Sequence, residues 1–234
     1  MHLVKVLNMK RNDGRKADEL REFTIEAGVL ENATGSARVR MGRTIAIAGV
    51  YGPREMFPRR LQKNDRATLQ LRYTMVPFST DERVRPGRSR RGQEISMVSG
   101  KALEAAVFTE DFPKAAIDVY VDIIQADAGT RTAAINAAAV ALADAGVPMR
   151  DMVCSVAIGK IDGEYVVDLA GKEEDASVCD FPVSYMPNLK KVTHMQMDGN
   201  ISKKDVDEMM KLVVKTCEKI HKVQKEALEK RWLK

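Results

Sequence analysis

From Leu20 to Tyr51 the apolar residues Phe23, Ile25, Val39, Ile45, Ile47 and Val50 recur between polar or small ones. Gly28, Gly35, Gly42 and Gly49 punctuate the run, so the pattern predicts strands joined by tight turns. Leu69 to Val76 continues it, and Pro77 to Gly92 interrupts it with a loop marked by Pro86 and Gly87. Ile95, Val98, Ala102 and Ala106 then fall at helical spacing, which predicts a helix from roughly Gln93 to Phe108 that stops before Phe112-Pro113. Ala116 to Ala126 reads as a largely buried strand. After Asp127-Ala128-Gly129, an alanine-rich helix runs from Arg131 to Ala145 and ends at Gly146, with Pro148 just beyond.

The remainder predicts a hairpin, Met152–Ile158 with Tyr165–Leu169 across Asp162-Gly163, and a further strand from Val192 to Met197. A last helix begins near Ser202, where Asp205 completes a capping-box pattern and Val206, Met210, Val213, Cys217, Ile220 and Ala227 form one apolar stripe. Strands come in runs rather than in strict alternation with helices, so the class is α+β with mixed sheets. The turn around Gly146 to Asp151 divides a larger lobe, residues 1–150, from a smaller one, residues 151–234, packed as one compact unit.

Composition narrows the function. At 44% hydrophobic and 30% charged the 234-residue chain is globular, and no apolar run reaches the ~20 residues of a membrane helix. No secretory signal is read in Met1 to Arg15. Cys154, Cys179 and Cys217 are odd in number and scattered, which argues against a disulfide framework or a zinc site and for a reducing, cytoplasmic setting. The net charge of +5 says less than where the arginines fall. Arg54, Arg59, Arg60, Lys63, Arg66 and Arg72 occupy one stretch, and Arg83, Arg85, Arg88, Arg90 and Arg91 another. A charge run is ordinarily a solvated face, but two arginine-rich ones suit a polyanion.

There is no Walker loop, no HExxH and no G-x-S-x-G elbow, and only His2, His194 and His221 are available for histidine chemistry. His194 reads as a strand residue satisfied locally. The strongest local signal is Gln125-Ala126-Asp127-Ala128-Gly129-Thr130-Arg131. A helix N-terminus offers free N–H groups and partial positive charge, Gly129 permits close approach, Thr130 adds a hydroxyl and Arg131 a full charge. The arrangement suits one phosphate-sized anion, although strand-Gly-helix junctions are often only structural. Lys172-Glu173-Glu174-Asp175 and Asp180 concentrate carboxylates in a loop after a strand. Asp180, set between Cys179 and Phe181, suits either a general acid of raised pKa or a ligand to a divalent ion.

Asn12-Asp13-Gly14-Arg15, Gly35-Ser36-Ala37-Arg38-Val39, Gln125 through Arg131 and Ala141-Leu142-Ala143-Asp144-Ala145-Gly146-Val147-Pro148-Met149, in that order, resemble the RNase PH family. Tyr51-Gly52-Pro53-Arg54-Glu55-Met56, Pro77 to Arg83 and Lys172 to Asp175 point within it to the catalytic subunits of the archaeal exosome core, with bacterial RNase PH the nearest competitor. The resemblance implies β-α units like the second domain of a ribosomal protein, assembled into a six-membered ring. It implies 3′→5′ phosphorolysis of single-stranded RNA, reversible to tail synthesis, with inorganic phosphate as co-substrate and Mg2+ or Mn2+ as cofactor. Gly129, Thr130 and Arg131 match the phosphate-binding positions. Asp180 matches the catalytic aspartate and candidate metal ligand, and Arg90 and Arg91, with Arg59 and Arg60, the RNA contacts. The implied partners are a homologous non-catalytic subunit, three copies of each in the ring, and RNA-binding cap proteins. A silent ring subunit and a plain RNA-binding protein are the rival classes; against the latter, the chain lacks the paired aromatics that stack bases in a typical RNA-recognition sheet.

Overall fold

The computed structural model describes residues 11, 13–87 and 89–233, so His2, Asn12, Arg88 and most of the N-terminal segment read above lie outside it. The first sheet takes β1 (Phe23–Ala27), β2 (Gly35–Met41), β3 (Thr44–Glu55), β4 (Thr68–Met75) and β5 (Ala115–Gln125) in the order β1-β2-β3-β5-β4. Among the described residues its only parallel pair is β4 with β5, because α1 (Arg90–Glu104) lies between them in sequence. The second sheet is antiparallel: β6 (Cys154–Ile161), β7 (Glu164–Val167), β8 (Cys179–Met186) and β10 (Asp198–Gly199) run β10-β8-β6-β7, and β9 (Lys191–Met195) also pairs with β8. The α+β class with mixed sheets stands.

Helix α2 (Thr130–Asp144) lies between the sheets, against β2, β3 and β5 of one and β6 and β8 of the other. Every residue but Arg131 and Ala143 is buried. Its alanines make that possible, since a slim helix lets strands approach on several sides. At Gly35 a Cβ would sit 2.1 Å from the Ala145 nitrogen, so β2 reaches the helix end only as glycine. The long α4 (Lys203–Trp232) starts at Ser202 with the expected capping box and seals the second sheet with Met209, Val213, Cys217 and Ile220. Met209 takes the buried place expected of Met210. All three cysteines are free and buried. Among the described residues no helix is long and apolar enough to cross a membrane.

Two expectations fail in instructive ways. Helix α1 begins at Arg90 rather than Gln93 and ends at Glu104 rather than Phe108, because Ser89 accepts a hydrogen bond from the Gly92 N–H (2.9 Å) and caps it early. Arg90 and Arg91 are therefore first-turn helix residues, adding their charge to the positive end of the helix. The acidic segment is not a loop either. Lys172–Ala176 forms the short α3, and Asp180 stands on β8 opposite Gly159 and Asp198. Pro182 disguised this strand. It pairs with Ala157, and its carbonyl accepts the Gln196 N–H at 3.1 Å.

Candidate active site

The turn from β5 into α2 builds the first wall of a small cavity. Ala128 (φ 57°) and Gly129 (φ 65°) are both left-handed, and Gly129 is the N-cap of α2. The chain thereby reverses sharply and sets Gly129, Thr130 and Arg131 side by side. Thr130 is buried, and its Oγ1 accepts a hydrogen bond from the Tyr73 hydroxyl at 2.9 Å. Burial pushes the Tyr73 phenol above its ordinary value, which keeps it a donor, while Arg91 and Arg131 pull the other way less strongly. One Arg131 Nη1 is held by Gln196 Oε1 at 2.8 Å, and Gln196 is tied in turn to Glu94. Arg131 Nε is buried with no partner among the described residues, a charged donor left for a ligand.

The opposite wall comes from the second sheet and α3. Gly129, Thr130, Arg131, Arg91, Glu174 and Asp180 all line one cavity of about 30 Å3, which is room for a small anion and little more. Asp180 is held above the usual carboxylate range, first by burial and then by the charge of Glu174, with Asp198 adding to it; Arg131 and Arg91 oppose the shift. Anion-binding cations and a carboxyl reluctant to ionise thus face each other. His194 lies nearby on β9 and is pushed below its ordinary value by burial and by Arg131, so it favours the neutral imidazole.

The structure gathers some of the sequence candidates and not others. Gly129, Thr130, Arg131, Asp180 and Arg91 meet at the cavity. Arg90 is exposed beside it without lining it. Arg59 and Arg60 occupy an exposed 3-10 turn, Arg59–Leu61, where Arg59 pairs with Glu55 at 3.7 Å; neither reaches the cavity. Glu174, rather than Asp175, faces the site. Sequence reasoning also passed over Tyr73 and Gln196, which reach Thr130 and Arg131 from β4 and from just beyond β9. Tyr73 shares the inward face of β4 with buried Leu69, and that inward phase was the one available hint.

Comparisons with known proteins identify the family to which the chain belongs. Residues 19–148 match the model of the 3′ exoribonuclease family, domain 1, and residues 151–216 that of domain 2 of the same family. The chain is 50% identical over 227 residues to the exosome complex component Rrp41 of Pyrococcus abyssi, covering 97% of this chain and 91% of that protein. It is 49% identical to the component of the same name from Methanopyrus kandleri, covering 95% and 93%. The crystal structure of rice Rrp46 superposes with a TM-score of 0.83 at 24% identity, over 92% of this chain and 98% of that one, which is a likeness of fold. With both domain models matched in order and half the residues shared with archaeal exosome components, the chain belongs to the RNase PH family of 3′ exoribonucleases.

Proposed function

We propose that this chain is a catalytic subunit that degrades single-stranded RNA from its 3′ end by phosphorolysis. Inorganic phosphate binds on the Gly129, Thr130 and Arg131 wall, where N–H groups, the helix dipole and Arg131 share its charge. Arg91, with Arg90 beside it, neutralises the last phosphodiester of the RNA, so that two anions approach despite their repulsion. A phosphate oxygen bonds to the terminal phosphorus, the bond from that phosphorus to the preceding 3′-oxygen breaks, and this oxygen takes a proton. The products are a nucleoside diphosphate and an RNA one residue shorter. Asp180 supplies the proton, since a carboxyl pushed upward in pKa holds one closer to neutrality. The reverse reaction adds tails from nucleoside diphosphates.

The observation that carries this reading is the single cavity in which an unpartnered Arg131 Nε and a helix N-terminus share space with desolvated Asp180. A silent ring subunit would need neither. Among the described residues no group of three or more His, Cys, Asp or Glu is arranged for a metal ion. Magnesium or manganese bound partly through phosphate oxygens needs only one or two protein carboxylates; Glu174 would hold such an ion, joined by Asp180 once its proton has been given up. Such an ion would screen charge on the phosphate oxygens.

Kinship with proteins named exosome components supports assembly with other RNase PH-like subunits; in our reading that assembly is a cytoplasmic ring in which three copies alternate with three of a non-catalytic homologue under RNA-binding caps. Residues 1–150 and 151–234 would act as its two lobes. The test is to incubate the purified chain, with and without that second subunit, with single-stranded RNA and magnesium, adding or omitting phosphate. Nucleoside diphosphates that appear only with phosphate are expected. Nucleoside monophosphates, or no shortening in the assembled ring, would sink the reading, and a fully active homohexamer seen by light scattering would favour the bacterial-type alternative.

A further inference from the structure

We propose that Arg21 and Thr44, neither of which lines the cavity, are positioning residues for the bound phosphate: they hold the carbonyls of Asp127 and Ala128 away from it. The inference rests on the phosphate reading given above. A turn entering a helix carries as many carbonyls as N–H groups, and it attracts an anion only when its carbonyls face elsewhere. Here each of the three carbonyls before α2 is taken. Asp127 O accepts from Arg21 Nη1, Ala128 O from Thr44 Oγ1 at 2.7 Å, and Gly129 O from Thr132 Oγ1 at 2.8 Å and Ala133 N at 3.0 Å. The last is settled within the helix itself. The first two are settled by side chains from the far end of the sequence.

Those two clamps are needed because the turn does not hold itself. Ala128 keeps a left-handed φ of 57° although it carries a Cβ, and Gly129 follows with another at 65°. Thr44, fully buried at the start of β3, grips the turn twice, since its Oγ1 also accepts the Asp127 N–H at 2.9 Å. Arg21 is fixed from behind by buried Asp168, whose carboxylate accepts from the Arg21 backbone N (3.0 Å), Nε (2.9 Å) and Nη2 (2.7 Å). A Cβ added at Gly129 would lie 2.8 Å from Arg21 Nη2 and 3.7 Å from Asp168 Oδ1. The guanidinium therefore lies directly against the turn and pairs buried Asp168, a carboxylate that, left bare, would add to the repulsion of the anion.

The experiment compares the wild-type chain with Thr44→Val, Thr44→Ser and Arg21→Lys. It measures phosphate binding by calorimetry, the KM for phosphate and for RNA in phosphorolysis, and the melting temperature. Thr44→Val removes the hydroxyl at nearly constant shape, and Arg21→Lys keeps the charge but not the fork. Both are expected to raise the phosphate Kd and KM about tenfold or more while the RNA KM stays within about twofold, and Thr44→Ser should stay near wild type. Unchanged phosphate affinity in Thr44→Val overturns the inference. So does a loss in which phosphate affinity, RNA affinity and melting temperature all fall together, the mark of a merely structural role. If the wild type binds no phosphate, the anion reading and the inference fall together; if it binds phosphate and the variants bind as well as it does, only the inference falls.

Discussion

The two walls of the cavity are built on opposite principles. The wall from β5 and α2 is mostly main chain: a turn of two left-handed residues, a helix N-terminus, and one arginine with an unpartnered Nε. The wall from β8 and α3 is side chain: Asp180 and Glu174, like charges of which the first is desolvated. One wall lowers the free energy of an anion and the other raises it. A pure binding site would discard the carboxylates, because they repel the ligand. A catalytic one keeps them, since a proton must be delivered where charge develops on the leaving oxygen.

Replacing Asp180 with Asn breaks the contrast most severely. The side chain keeps its shape but cannot deliver a proton or hold a cation, so phosphorolysis should fall about 100-fold or more while RNA still binds, as single-turnover rates and filter binding would register. Stability should move the other way. Burial raises the Asp180 pKa above its ordinary 3.8, so ionising the carboxyl opposes folding. The variant should accordingly melt higher than wild type at neutral pH, with the gap closing as the pH falls through the raised pKa toward 3.8. Equal melting curves at all pH values would mean that the carboxylate is solvated. Near-normal turnover would move proton delivery to Glu174.

The opposite wall is probed by Arg131→Ala set beside the double variant Arg90→Ala/Arg91→Ala. Loss of Arg131 removes a charge-assisted contact to phosphate, and roughly 10- to 100-fold more phosphate should be needed for half-maximal rate, with RNA affinity little changed. The arginine pair should show the reverse, weaker RNA binding and a shallower salt dependence with phosphate KM nearly intact. Steady-state kinetics at two salt concentrations separates the patterns. If Arg131→Ala loses RNA and keeps phosphate, the assignment of the two anions to the two arginine sets is inverted.

The same contrast explains what the sequence disclosed. The main-chain wall is local: Asp127 to Arg131 carries the strand end, the glycine, the hydroxyl and the charge in one uninterrupted run, so its chemistry is legible from order alone. The side-chain wall is tertiary. Asp180 was marked by its apolar neighbours, but its strand was hidden by Pro182, which looks like a break until β9 is seen beside it. Glu174 could not be told from Glu173 and Asp175 without knowing which way a five-residue helix faces; Glu173 turns inward to Arg11 instead. The fold was legible for a similar reason. Alternation and capping are local patterns, as at Ser202, whereas the order of strands in the two sheets depends on pairings distant in sequence. Arg21 and Thr44 look like ordinary polar residues beside strands, and only the packed turn reveals what they hold.

Tyr73 offers the finest test, because it touches one wall and nothing reactive. Its hydroxyl donates to Thr130 Oγ1, which leaves the threonine proton free to point at the bound anion. Tyr73→Phe deletes that donor while leaving the ring in its buried place, so stability should change little apart from the freed threonine lone pair. Thr130 could then spend its proton on another acceptor, and phosphate affinity should weaken by about two- to tenfold, the usual span for one neutral hydrogen bond. The effect should vanish in a Thr130→Val background, where no hydroxyl remains to be oriented. If instead the two substitutions weaken phosphate binding independently and additively, Tyr73 acts through packing, and the orientation of Thr130 is set by the main chain alone.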